Sequence, residues 1–292
     1  MAIGMRVLVA TDGSAHAWHA VRLAAAFPWP DGSVVRLVTA LAVPASLGAR
    51  TAAAAPPADP AGLTEAAEAL RRPGLTVETA VLEGAPAEAI ADDVAAWGGD
   101  LVIVGSRGQG ALRTLLLGSV AAAVVDRAPC PVLVARGDSV RSIVLADDAD
   151  GQPAERRPGA HDRTRFAGAL GAVVGVAHAL APLASGIALT MRAAAAEAYA
   201  ADLEESRALH RKVLAEAVAD LRSSAVSASE ELREGDPGHE VVAAASEAGA
   251  DLIVVGTRGR TGIPRALLGS VARHVLVNAP CSVLVARAEA KA

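Results

Sequence analysis

Two glycine-rich segments carry the residue pattern best suited to chemistry. The first runs Gly105-Ser106-Arg107-Gly108 and, after nine more residues, Gly118-Ser119-Val120. The second runs Gly256-Thr257-Arg258-Gly259 and, after nine more, Gly269-Ser270-Val271. Glycine lets backbone N–H groups approach an anion closely. A helix opening at Ser119 or Ser270 adds unpaired N–H donors and partial positive charge. The two serine hydroxyls can either cap that helix or bond a phosphate oxygen. A carboxylate stands further upstream, in Asp12-Gly13-Ser14, directly after one apolar run and before a helical one. Taken alone, this tripeptide reads as a helix cap, and one glycine segment reads as a tight turn. Two segments with the same spacing, each with an Asp after its first strand, favour phosphate binding.

These residues belong to a longer repeat. Gly99 to Arg136 (GDLVIVGSRGQGALRTLLLGSVAAAVVDRAPCPVLVAR) matches Ala250 to Arg287 (ADLIVVGTRGRTGIPRALLGSVARHVLVNAPCSVLVAR) at a constant offset of 151 residues, with more than half the positions identical. A period of that length is a whole domain, which excludes a short-repeat solenoid. The boundary falls near Gly137-Asp138-Ser139, giving domains at 1–138 and 139–292.

Each copy alternates strand-like and helix-like stretches. In the first, Arg6–Ala10, Val34–Leu41, Thr76–Leu82, Leu101–Val104 and Val132–Ala135 read as strands, Thr76–Leu82 alternating as an edge strand does. Ser14–Phe27, Leu63–Arg72, Pro86–Trp97 and Ser119–Arg127 read as helices. The second copy offers strands at Ile143–Ala146, Ala172–His178, Val226–Leu232, Leu252–Val255 and Val283–Ala286, with a long helix from Arg192 to Arg222. The alternation predicts an α/β fold: two tandem Rossmann-like domains, each a five-stranded parallel sheet with helices on both faces. Pro44 to Gly62, rich in Ala and Pro, reads as a surface loop. Ligands of such sheets bind beyond the carboxyl ends of the strands, where both glycine segments fall.

Composition sets limits. The 292 residues carry a net charge of −5, so bulk electrostatics give no reason to expect nucleic acid as a partner. Aromatic residues are only 2% of the chain, so the two cores expected must be Ala, Val and Leu packing with Trp18, Trp29 and Trp97 as rare large pieces. Cys130 and Cys281 sit in matching Ala-Pro-Cys contexts and read as small buried hydrophobes; no metal-ligand spacing accompanies them. Free thiols fit a reducing cytoplasm, and the N-terminus shows no secretory pattern. Phe166 to Met191 lacks charge, yet its four glycines, Pro182 and His178 make it poor membrane material, and no membrane association is expected.

The twice-present G-x2-G-x9-G-[ST] pattern resembles that of the universal stress protein family, across nearly the whole chain as a tandem two-domain form. The resemblance implies an adenine nucleotide alpha hydrolase-like fold and ATP as ligand, with Mg2+ as an optional companion. It implies that Asp12 and Asp148 contact ribose and phosphates. Gly105, Arg107, Gly108, Gly118, Ser119 and Val120, with Gly256, Arg258, Gly259, Gly269, Ser270 and Val271, would cradle phosphates and ribose. Gly13 would accompany Asp12. Adenine would lie near Ala40 and Leu41 and, in the second copy, near Ala177 and His178. The family's last strands pair domains, so Val132–Ala135 and Val283–Ala286 are expected to join the two halves as an intramolecular pseudo-dimer, a homodimer of whole chains being the alternative.

The second copy departs from the pattern. Asp147-Asp148-Ala149-Asp150 replaces Thr11-Asp12-Gly13-Ser14, and Pro158-Gly159 interrupts the helix that should follow. Extra acids near a polyphosphate predict a weaker second site, though Arg260 and Arg265 in the second glycine loop oppose that. There is no Walker P-loop, no G-x-G-x-x-G fingerprint and no evident Ser-His-Asp or Cys-His set. His16 and His19 read as partly exposed helix residues. The expectation is a nucleotide-binding stress-response protein rather than an enzyme. A slow ATPase or nucleotidyl-transfer enzyme, and an interaction protein with vestigial sites, are the alternatives.

Overall fold

The apolar run RVLVA forms strand β1 (Arg6–Ala10), in which every residue but Arg6 is buried. In a computed structural model of the chain, which describes residues 4–41, 59–108, 117–146, 173–180, 193–223, 226–257 and 268–287, β1 is the centre of the first half. β2 (Ser33–Leu41) and β4 (Leu101–Gly105) flank it, β3 (Leu75–Glu83) lies outside β2, and β5 (Val132–Ala135) outside β4. Helices α1 (Ala15–Ala26), α2 (Leu63–Leu70), α3 (Pro86–Trp97) and α4 (Ser119–Arg127) connect them. Pro86 takes the first turn of α3, where a missing N–H costs nothing.

The second half follows the same plan. Its strands are β6 (Ser142–Ala146), β7 (Val173–Leu180), β8 (Ala228–Glu234), β9 (Leu252–Gly256) and β10 (Ser282–Ala286). Its described helices are α5 (Ala193–Ser223), α6 (Pro237–Glu247) and α7 (Ser270–Asn278). Val173–Leu180 being a strand removes the middle of the uncharged Phe166–Met191 stretch from any spanning helix. No described helix is long and apolar enough to cross a membrane.

The ten strands form one sheet in the order β3-β2-β1-β4-β5-β10-β9-β6-β7-β8. Every neighbouring pair is parallel except β5 and β10, which run antiparallel. Their register is reciprocal: Leu133 faces Leu284, its own counterpart in the repeat, while Val134 faces Val283 and Val132 faces Val285. The polar strands β3 and β8 are left at the two edges, where one side needs no ladder partner.

The β5–β10 ladder changes the expected organisation of the core. Instead of one core per half, there is one core per face of the sheet, each crossing both halves. Val7, Val9, Leu133, Ile143 and Leu284 share one face with α1, α2 and α5. Leu8, Val102, Val134, Ile253 and Val283 share the other with α3, α4, α6 and α7. Period-two alternation along each strand assigns its residues to the two faces, and continuous pairing merges the halves. Trp29 is buried and donates from Nε1 to Ala24 O at 2.7 Å, whereas Trp18 and Trp97 pack at the margins.

A pair of arginines reinforces the junction. Arg136, following β5, reaches across to donate to Leu276 O (2.5 Å) and Cys281 O (3.1 Å). Arg287, its repeat counterpart, donates to Val125 O in the first half, and Val125 is the counterpart of Leu276. Each guanidinium therefore meets the carboxyl end of the other half's helix, α7 or α4, where carbonyls lack intrahelical partners and the helix dipole is negative. Burial pushes the Arg136 pKa down, and that desolvation must be offset by these bonds.

Arg136→Met should lower stability by about 1–3 kcal/mol, because it strands buried carbonyls. Arg71→Met should cost under about 1 kcal/mol, since its pairing with Glu68 is an exposed one. Urea unfolding of the two variants checks the contrast.

Candidate functional site

Strand order reverses direction between β1 and β4, since β1 leads outward to β2 while β4 lies on its other side. The crevice at that switch point is where open α/β sheets hold ligands. β1 and β4 pair in register, Ala10 opposite Val104, so their carboxyl ends deliver Thr11-Asp12 and Gly105-Ser106 side by side. Asp12 is oriented by a tight turn in which Oδ1 accepts from Ser14 N at 3.0 Å. Gly13 has φ +75°, a conformation that favours glycine, while the second copy has Ala149 in its place. Ser14 then caps α1, its hydroxyl accepting from Ala17 N at 3.2 Å.

Asp12 and the glycine loop converge. A Cβ on Gly108 would lie 2.5 Å from Asp12 Oδ2, so the two segments, nearly a hundred residues apart in sequence, are in contact. The loop is closed at its base by Gly118 N donating to Ser106 O at 2.7 Å. A Cβ on Gly118 would come within 3.2 Å of Arg107 Cα and 3.3 Å of Ser106 O. Its φ of −79° suits any residue, so space rather than backbone freedom is what glycine supplies here. Gly118 is the N-cap of α4 and carries no side chain to cap it. Ser119 is the first helical residue, so it does not make the capping bond that its sequence position allowed. Ser119 and Val120 are exposed at this terminus. A Cβ on Gly118 would also lie 3.7 Å from Gly108 N, so the N-terminus of α4 stands beside the residue that touches Asp12.

Gly105 has a different reason to be glycine. A Cβ there would fall 2.5 Å from His16 O and 2.8 Å from Ala17 Cα. The packing of α1 on β4 demands glycine at this position without any ligand. Ala40 and Leu41 end β2, half-buried and paired with Leu82 and Glu83. His16 and His19 are both half-buried. Burial, and then the charge of Arg107, hold His16 below the usual imidazole range, while Asp12 pulls the other way. His19 Nδ1 lies 2.6 Å from Asp138 Oδ1, outside this group. Sequence reasoning missed Arg136, whose guanidinium is bound to carbonyls of the other half and whose charge is opposed by that of Arg107. Its one sequence signal is its place, with Arg287, at the end of each repeat.

The second half repeats the frame. β6 and β9 pair at the corresponding switch point, Gly256 ends β9, and Gly269 N donates to Thr257 O at 3.0 Å. Gly269 is the uncapped N-cap of α7, with φ −62°, and Ser270 is exposed. Val271 packs against the core cluster of that face. Ala177 and His178 lie inside β7, which runs two residues past the expected end to Leu180, and pair with Glu231 and Leu232. Asp148, Arg258 and Gly259 lie outside the described residues, as do Pro158-Gly159, Arg260 and Arg265. Neither cysteine is in a disulfide; Cys130 is buried and Cys281 half-buried, and burial pushes the Cys281 thiol up to about 11.

The fold and these paired crevices define a duplicated, doubly wound α/β protein with a glycine-loop site at the switch point of each half. The profile of the universal stress protein family matches residues 5–136 and again 140–287, and the chain belongs to that family. A universal stress protein from Mycolicibacterium smegmatis is 29% identical over 227 residues, covering 73% of this chain and 70% of the relative. One from Methanocaldococcus jannaschii is 54% identical over 57 residues, which is 20% of this chain and 34% of that protein. A Pseudomonas aeruginosa crystal structure assigned to the same proteins superposes with a TM-score of 0.66 at 20% identity, covering 97% of this chain and 93% of that one. This last likeness is one of fold.

The two kinds of glycine should separate on substitution. Gly105→Ala should destabilise the protein by roughly 1–3 kcal/mol, because α1 backbone must shift to admit the methyl group. Gly13→Ala should cost at least about 1 kcal/mol through its positive φ, with a Cβ that would also lie 3.1 Å from Ala61 O. Thermal and urea unfolding of both variants test this.

Proposed function

We propose that this chain is a nucleotide-binding stress-response protein that takes ATP at the crevice between β1 and β4. One observation carries the reading: the Asp12 carboxylate and the N-terminus of α4, which has no side-chain cap, meet across Gly108, where any side chain would intrude. The helix terminus and loop N–H groups suit phosphates, with Arg107 adding positive charge. Asp12 suits ribose hydroxyls, which a carboxylate accepts from, and the ends of β2 at Ala40 and Leu41 offer an apolar rest for adenine. Where Mg2+ accompanies the phosphates, Asp12 is the carboxylate that would share it, and the ion would neutralise phosphate charge. Family membership supports the reading.

The proposal is of a binding protein acting in the cytoplasm, sensing or storing nucleotide. Turnover of added ATP well above about 1 per second would instead make it an enzyme. We read the β5–β10 ladder as an internal substitute for pairing between chains, so sedimentation should find a monomer. A sedimenting homodimer would show that a second surface pairs whole chains.

Acid extraction of purified protein, followed by identification of the released nucleotide, tests the ligand directly. Gly118→Val should remove ATP affinity, because a branched side chain fills the space beside Arg107 and Ser106. Cys130→Ala should leave affinity near that of the parent. Equal binding by the two variants would sink the assignment. The same titration ranks the halves: the tighter event should disappear with Gly118→Val and persist with Gly269→Val, since the second half adds acids and has Ala149 in place of Gly13.

A further inference from the structure

A group of side chains in the second half has no part in the nucleotide reading. Asp236, His239 and His274 each place one ligand-type atom within 4.8 Å of the other two. Asp236 is the N-cap of α6; its Oδ1 accepts from His239 N at 3.1 Å and lies 3.0 Å from His239 Nδ1. His274 comes from α7, and its ring meets that of His239 edge-on with centroids 4.2 Å apart. The two helices approach this closely because of Gly238, where a Cβ would sit 2.8 Å from His274 Cβ.

Helix capping accounts for Asp236 and for the backbone of His239. It does not account for the second imidazole brought in from another helix. The first half shows that the fold does not require the trio. Its corresponding positions hold Ala85, Glu88 and Ala123, and Glu88 there forms an exposed ion pair with Arg127 at 3.7 Å. Two imidazoles and one carboxylate are a donor set for borderline divalent ions such as zinc, whereas magnesium and calcium favour oxygen alone. The helix N-terminus disfavours a cation, and the Asp236 carboxylate offsets that field locally. Asp236 and His239 have side chains 63% and 72% exposed, so an ion reaches them directly from solvent.

We propose that Asp236, His239 and His274 form a binding site for a divalent transition-metal ion, with Zn2+ as the fitting occupant. Three protein ligands leave a coordination position for water or a further ligand. The ion ties α6 to α7, and α7 begins at Gly269-Ser270, so it also braces the helix of the second glycine loop. The sequence carried only a weak sign, Asp and His three apart, with the second His 35 residues further on. The site arises from the packing of α6 on α7 rather than from ligand spacing along the chain.

The test uses the full chain, stripped of metal and titrated calorimetrically with Zn2+, with Co2+ absorption as a report on coordination. The parent should bind Zn2+, and His239→Ala and His274→Ala should each weaken that event at least about 100-fold. His239→Ala alters an exposed side chain and reports even where His274→Ala disturbs packing. His19→Ala, in the other half, should bind as the parent does. Absence of Zn2+ binding by the parent overturns the proposal. So does parental affinity in His239→Ala, or loss of binding in His19→Ala.

Discussion

The antiparallel ladder between β5 and β10 is the constraint on which the rest depends. Both strands are short and apolar, and each would otherwise be an exposed hydrophobic edge, open to unwanted pairing. Joined, they turn two sheets into one and let both cores run through the whole chain. Leu133 against Leu284 sets the register, and a slip by one residue would exchange the two faces of β10. Arg136 and Arg287 then fasten each half to the helix end of the other. The polar edge strands β3 and β8 are consequences of the same arrangement, since the apolar edges are used up at the centre.

That junction is coupled to the glycine loop. β5 and β4 are neighbours, and Ser106 N donates to Ala135 O at 3.1 Å. The next residue in each strand-end is an arginine, Arg107 on one side and Arg136 on the other, and their charges act on one another. The base of the first glycine loop therefore rests on the strand that carries the inter-half ladder. The second loop has the same support, with Thr257 N donating to Ala286 O at 3.1 Å. Among the described residues, each site is held by paired strands and closed at its base by a backbone bond, Gly118 N to Ser106 O or Gly269 N to Thr257 O.

Duplication preserved the frame and released the surfaces. Strand pairings, loop closure, uncapped helix termini and crossing arginines recur in both halves. Charged groups have diverged. Arg36 in the first half forms a two-bond pair with Asp93 at 2.8 and 3.0 Å. In the second half Arg233 gathers Glu231, Glu240 and Glu247. The imidazole pair of the second half replaces Glu88 and Ala123 of the first. Backbone ladders and apolar packing tolerate little change, whereas exposed charges such as Glu88 and Arg127 are nearly neutral in stability and free to acquire new roles.

The sequence by itself determined the elements and the duplication. RVLVA, LVIV and VLVA are too apolar and too short to be anything but buried strands, and Pro86 fixes where α3 begins. The constant offset between repeats determined that whatever one half builds, the other approximates. Period-two and helical patterns are local, so they are legible along the chain. Three things were decided only in three dimensions. The merging of two cores into one per face depends on β5 meeting β10, a contact between residues 151 apart. The role of Gly105 depends on how closely α1 lies on β4, which no spacing reveals, so it looked like a ligand glycine. The partners of Arg136 and Arg287, and the meeting of His239 with His274, are the third. Each acquires its partner from a helix that packs beside it, and helix packing is set by shape across the sheet rather than by distance along the chain.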